Sequence, residues 1–283
     1  MDFLPETDPE SVGRRALAVN LSDLAAMGAR PEFFLLSIGF SAEKGEDFPL
    51  AVARGALSRA RPLGVDLAGG DLSSSAQTIV SIALWGRAEN RPALRSGRVG
   101  RRRALRLRVS GRAAAGLSLA RGRSSGDTVP AALASEHVAE LLAAYRDPEP
   151  RVALGLELSR RNLWARRSTC PTGSARTRRG LRARRACRVV LERTRLPVSP
   201  ALKAFADLRT TDPADWILGG GDDYELLFAA PESAAKAIET LASREVPVTR
   251  IGSLETGGGA FLSDGGQERD ISSLGYDHFE KEP

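Results

Sequence analysis

ESVGRRALAVNLSDLAAMGARPEFFLLSIGF, residues 10–40, changes its period partway along. Val12, Ala16, Val19, Leu24 and Met27 recur at three- to four-residue intervals, which predicts an amphipathic helix capped by Ser11 and stopped by Gly28 and Pro31. EFFLLSIGF, residues 32–40, then reads as a strand. The alternation continues with a helix from Asp47 to about Arg61 ended by Gly64, a short strand at Val65 and Leu67 leading into Gly69, Gly70 and Asp71, and a strand over 77–89. Farther on, PVSPALKAFADL predicts a helix, ILGGGDDYELLFAAP a glycine turn into a strand, and PESAAKAIETLASRE a helix begun by Pro231. VTRIGSL predicts a strand and residues 255–270 a glycine-rich hairpin. Helices and strands alternating at these lengths specify a layered α/β (α+β) fold, with a division between two domains near Asn90 to Arg95.

Composition sets the limits. At 283 residues and 42% apolar content the chain can bury a sizeable core. No run of eighteen apolar residues occurs, and MDFLPETDPES lacks the regions of a signal peptide, so a cytoplasmic location is expected. Cys170 and Cys187 are too few for a disulfide framework, and the only histidines are His137 and His278, so none of these receives a role. The net charge of +6 comes from two acid-free tracts. Eleven arginines lie between Glu89 and Asp127 and eleven more between Glu157 and Glu192, with no lysine in either, and the rest of the chain is acidic. The second tract, which holds RRSTCPTGSARTRRG at 166–180, follows neither a helical nor an alternating period and is a poor candidate for regular structure.

Two acids in the first half carry chemistry. Asp23 sits in an otherwise apolar helix with Asn20 one turn earlier on the same face, where a merely solvated helix face is an equal reading. Asp71 follows two glycines just beyond a strand, where backbone can approach a ligand and a carboxylate can hold a hard cation. A GGD in a turn is common, so the pair informs more than either alone. Arg95 in RPALRSGRVG offers a forked guanidinium suited to phosphate. Asp222, Asp223 and Glu225 in GGGDDYELLF read either as further site acids or as a tight turn entering a partly exposed strand.

DFLPETDPESVGRRALAVNLSDLAAMGARPEFFLLSIGF, then GVDLAGGDLSSS, ALRSGRVG, GGGDDYELLFAAP and LGYDHF, together resemble the thiamine-monophosphate kinase family of the aminoimidazole-ribonucleotide synthetase-like superfamily. The likeness covers nearly all of residues 2–97 and 188–283 and fails at the two arginine tracts. Where the family carries DVSDGL, with metal-binding aspartates, this chain has RRSTCPTGS. Reading from the third base of the Arg167 codon, with Ser168 and Ser174 as TCN codons, T ending the Cys170 codon and G or C at the other wobble bases, the frame can read V-D-V-S-D-G-L-G-A-D. A shifted frame through GRRRALRL from Gly100 likewise can read V-G-D-A-L-Y-V, which the family has after its RSG. Residues 98–110 and 164–187 are therefore expected to be frameshifted. The chain also starts at the family's VEGVHF-like segment, with Asp2 at the histidine's place, so an upstream acidic metal region and the first strands are expected to be missing.

For an intact enzyme the resemblance implies ATP-dependent phosphorylation of thiamine monophosphate to thiamine diphosphate by direct in-line transfer, with no protein nucleophile. It implies a truncated ATP- and metal-binding, dimerising domain over 1–92 and a C-terminal α/β domain over 93–283. Mg²⁺ would be held by Asp23 and Asp71, ATP by Gly70, Asp71 and Arg95, and the thiamine moiety by Asp222 and Tyr276, while Asp2 would stand at the substrate with a charge that opposes its phosphate. A homodimer is implied, and neither nucleic acid nor membrane is an expected partner. Two other readings are a superfamily relative with another acceptor and a basic nucleic-acid-binding protein. The NLSDLAAMGA context disfavours the first, and the missing aromatic interleaving, with Trp164 alone among the arginines, disfavours the second.

Overall fold

A computed structural model describes residues 3–90, 103–125, 132–163, 166–169, 188–241 and 247–274. The first half pairs helix α1 (Pro9–Met27) and helix α2 (Asp47–Ala60) with strands β1 (Ala29–Phe40), β2 (Asp66–Ser74) and β3 (Ile79–Ala88). The strands form a sheet in the order β2-β1-β3, with β2 parallel and β3 antiparallel to β1. Helix α1 starts before Ser11. Asp8 is the cap, accepting the Ser11 N–H at 2.9 Å, and Pro9 occupies the first turn. Proline's fixed φ suits that position, and a carboxylate gains from the positive end of the helix. Gly28 closes the helix in the left-handed region, as expected from its sequence.

The buried side of α1 differs from the one expected. Leu17, Ala18, Leu21 and Ala25 are fully buried, whereas Ala16 and Val19 are only partly covered and Met27 is 45% exposed. Of the expected stripe, Val12 and Leu24 are buried, while Ala16 and Val19 face a cavity. Gly13 and Gly55 let α1 and α2 cross closely: a Cβ on either would lie 1.9 Å from a backbone oxygen of the other helix.

The remaining strands are β4 (Arg103–Leu107), β5 (Arg166–Thr169), β6 (Arg188–Glu192), β7 (Leu226–Ala230), β8 (Thr249–Glu255), β9 (Ala260–Asp264) and β10 (Gln267–Asp270). They form one sheet in the order β10-β9-β6-β8-β4-β7-β5, antiparallel except between β6 and β9. Helices α3 (Arg112–Ser125), α4 (Ser135–Arg146), α5 (Val152–Arg160), α6 (Pro200–Leu208), α7 (Pro213–Gly219) and α8 (Ala235–Leu241) accompany it. The arginine tracts thus contribute β4, β5, nearly all of β6 and the helix α3, with β4 and β6 interior to the sheet, against the expectation that such tracts are poor candidates for regular structure. Backbone pairing on both flanks recruits β4 whatever its period. The short α7 was hidden in the sequence by the glycines that follow it.

Strand β7 joins two cores. Leu227 and Ala229 point into a cluster with α3, α4, α6 and α7, while Leu226, Phe228 and Ala230 point into one with α1, α2, α5 and β1. Both faces are covered, so LLFAA is entirely buried instead of partly exposed, and its continuous apolar run follows from that. The residues entering β7 therefore stand where the two halves meet.

Candidate active site

The segment Asp222–Glu225 is held at each of its four residues. Asp222 and Tyr224 have φ of 69° and 51°, left-handed values that cost a non-glycine residue free energy and persist only where neighbours impose them. Asp222 is bound by Arg15 of α1, with Nη2 2.9 Å from Oδ2. Tyr224 accepts a hydrogen bond at its carbonyl from the Ser22 hydroxyl, also on α1. Asp223 accepts from the Gly111 and Ala113 N–H groups at 2.6 and 3.0 Å and from the Ser110 hydroxyl at 2.9 Å, so it caps α3 from a distant part of the chain. Its burial raises its carboxyl pKa to about 6, against the lowering influence of those hydrogen bonds and of Arg112.

Glu225, 2% exposed, is the centre of an arginine cluster. Arg108 Nη1 lies 2.7 Å and Arg151 Nη2 2.9 Å from its Oε1, with Arg112 at 3.9 Å. Burial pushes the Arg108 guanidinium below its ordinary value and Arg151 and Arg112 push the same way, while Glu225 holds it up. One carboxylate and three cations at low dielectric make Glu225 the group that lets the others be buried.

A cavity of about 760 Å³ opens beside this segment. Its wall combines Val12, Ala16, Val19 and Asn20 of α1 with Arg15 and Tyr224, and it is closed by Phe48 and Lys44 on one side and by Gln77 through Val80 on another. Apolar walls with a few polar groups are the usual make-up of a small-molecule site. Arg15 is the functional candidate missed in the sequence. Its signal was a basic residue at helical spacing from Val12 and Val19, on the side that proves to face the cavity.

The other expected residues are dispersed. Asp23 is exposed on α1, one turn beyond Val19 and Asn20. Asn20 does not turn toward it, because its side-chain amide donates to the Ala16 carbonyl at 2.8 Å. Gly70 and Asp71 lie within β2 instead of beyond a strand, opposite Leu36 and Ser37 of β1, because parallel pairing carries β2 through the glycines. There they line a second cleft, of about 830 Å³, with Leu36, Ile38 and Leu50. Asp71 Oδ2 accepts from the Ser73 hydroxyl at 2.5 Å. Asp2, Arg95 and Tyr276 lie outside the described residues. Carboxylates are the right donors for Mg²⁺, but among the described residues no three His, Cys, Asp or Glu side chains converge as a metal set. The described residues therefore do not complete a magnesium site, and no chemical step is derived through one. No helix among them is long and apolar enough to cross a membrane.

The fold and these clefts define a protein of the AIR synthase type: the family described as AIR synthase related protein, N-terminal domain, matches residues 1–88. A curated relative, the thiamine-monophosphate kinase of Rhodopirellula baltica, is 34% identical over 258 residues, covering 89% of this chain and 71% of the relative. The crystal structure of thiamine-monophosphate kinase from Stenotrophomonas maltophilia is 31% identical, with a TM-score of 0.80 over 93% of this chain and 81% of that one. A structure described as AaThiL complexed with AMPPCP and TMP is 24% identical and shares the fold, with a TM-score of 0.83 over 98% of this chain and 83% of that one. The chain belongs to the thiamine-monophosphate kinase family.

Proposed function

We propose that this protein is built for ATP-dependent phosphorylation of thiamine monophosphate to thiamine diphosphate, with the acceptor in the α1 cavity beside Asp222–Glu225. The observation that carries the reading is the relationship to the Rhodopirellula baltica kinase across 89% of the chain. The Asp222–Glu225 segment of one shared motif also falls where the two halves meet, and the AaThiL structure holds AMPPCP and TMP in the same fold. In this reading Gly70, Asp71 and Arg95 border ATP, Asp222 and Tyr276 stand toward the thiamine moiety, and Asp2 stands at the substrate with a charge that opposes its phosphate. Residues 1–92 form the nucleotide-binding and dimerising domain and 93–283 the C-terminal domain. Phosphoryl transfer depends mainly on positioning and on neutralising charge, so it needs no protein nucleophile.

Asp23 and Asp71 are assigned to Mg²⁺ together with the aspartates that the shifted frame would restore. The chain as written is therefore expected to bind the acceptor but to transfer phosphate poorly. Residues 98–102 and 170–187 of the two tracts lie outside the described residues, so the support for the frameshift is the recovery of two expected motifs at their expected places.

The test compares two chains: this one, and one in which Gly100–Arg106 is replaced by VGDALYV and Ser168–Thr177 by VDVSDGLGAD. Each is given ATP, Mg²⁺ and thiamine monophosphate, and thiamine diphosphate is measured by chromatography. Product from the rewritten chain well above that from the original is the expected result. Equal and measurable activity in both chains would refute the frameshift. Absence of both thiamine-monophosphate binding and product in either chain would refute the functional assignment.

A further inference from the structure

Stability alone is a poor reason for burying Arg15. A buried ion pair loses solvation that its mutual attraction often only offsets, and an apolar side chain of similar size commonly serves a core as well. Arg15 is 5% exposed, yet three features fix its orientation. Nη2 meets Asp222 at 2.9 Å, Nη1 donates to the Tyr145 carbonyl, and the guanidinium stands 4.8 Å from the Tyr145 ring centroid and 5.8 Å from that of Tyr224. Its partner Asp222 has a left-handed backbone and a side chain 29% exposed, and Arg15 itself lines the cavity. Ser22, two turns along α1, grips Tyr224 and so prevents the segment from rotating away.

We propose that Arg15 is a positioning residue for the acceptor: it holds the Asp222 carboxylate, in a strained backbone conformation, at the rim of the α1 cavity, where it meets the thiamine moiety of thiamine monophosphate. The proposal rests on the assignment of that cavity to the acceptor. A planar guanidinium anchored by the Tyr145 carbonyl and ring fixes where its ion-pair partner Asp222 can lie, which a flexible ammonium does not. Arg15 thus acts on the acceptor through Asp222, while the nucleotide cleft beside Gly70 is formed by other elements.

Calorimetric titration of the full chain with thiamine monophosphate and, separately, with ATP tests this in Arg15→Met, Arg15→Lys, Asp222→Asn and the double variant Arg15→Met/Asp222→Asn. Arg15→Met and Asp222→Asn are each expected to weaken thiamine-monophosphate binding about tenfold and to leave ATP binding within about twofold, the scale of one lost charge-assisted contact. Arg15→Lys is expected to weaken it about fivefold, since it keeps the charge and loses the second arm. The double variant is expected to bind about as weakly as the worse single one, because both remove one device. Independent, multiplying losses would overturn the positioning role, as would unchanged affinity in Arg15→Met. If Arg15→Met does not fold, unchanged affinity in Arg15→Lys overturns the proposal by itself. Failure of the unsubstituted chain to bind thiamine monophosphate would refute the cavity assignment, and the positioning role with it.

Discussion

Asp223 Oδ2 accepts the N–H of Gly111 at 2.6 Å, across 112 residues of chain, and so caps helix α3 with a buried carboxylate. Burial raises the folded-state pKa to about 6 from an ordinary 3.8, so between those values the folded chain binds more protons than the unfolded one. The associated stability is present below about pH 4 and is lost as pH rises through about 6. From pH 4 to 7 this one group is expected to lower the unfolding free energy by about 3 kcal/mol. Asp223→Asn removes the titration. Urea unfolding from pH 4 to 7 should therefore show a shallower decline in the variant, and an identical pH slope in both proteins would count against the argument.

Glu225→Gln removes the carboxylate from between Arg108 and Arg151 and leaves two buried guanidinium groups facing a neutral amide. The expected cost is about 3 kcal/mol or more, because an uncompensated buried charge outweighs the pair interaction itself. Glu140, which meets Arg112 at 3.3 Å with 36% of its side chain exposed, is the control. Glu140→Gln should cost less than about 1 kcal/mol. Equal shifts in denaturation midpoint for the two variants would contradict the view that burial, more than ion-pair count, makes Glu225 important.

Most of the layered fold was legible where side chains repeat with a period. The helix ended by Gly28 and the strands after it follow from local pattern and turn chemistry. The burial of Asp223, Glu225 and β7 was not legible, because the second covering face of β7 comes from α1, α2 and β1, more than a hundred residues earlier. Arg15 was missed for the same reason. A basic residue at helical spacing reads as a solvated face until the fold brings Asp222 and Tyr145 to it. Gly70 and Asp71 read as a turn just beyond a strand, but their place inside β2 depends on parallel pairing with β1, which local sequence does not encode.

That pairing makes Gly70 sterically obligatory. A Cβ there would lie 1.8 Å from the Leu36 carbonyl oxygen, a backbone atom that cannot turn aside. Gly70→Ala is expected to force β2 from β1 and to cost about 3 kcal/mol. ATP affinity should fall as well, if the cleft beside Gly70 holds the nucleotide as proposed. At Gly219, the end of α7, an added Cβ would meet nothing within 4 Å, and Gly219→Ala should be close to neutral. Thermal unfolding of both variants distinguishes a steric requirement at Gly70 from a general sensitivity to glycine replacement.

One face of the three-stranded sheet leaves apolar side chains in solvent: Ile79 and Trp85 on the edge strand β3 are 55% and 45% exposed, and Phe33 and Leu35 on β1 are 37% and 36% exposed. Trp85 stacks on Phe33 of β1, with ring centroids 5.2 Å apart and an interplanar angle of 12°, so the face is ordered within one chain before any partner arrives. A clustered apolar surface beside open strand edges favours self-association, and a two-fold partner can cover the same patch on both copies. Under the proposed homodimer, Leu35→Asp and Trp85→Asp should each shift the chain toward monomer in sedimentation velocity without a large loss of folded content. Leu208, 41% exposed on α6 in the other half of the chain, is the control, and Leu208→Asp should leave association unchanged. A monomeric unsubstituted chain, or equal association in all three variants, would rule out this sheet as the dimer surface.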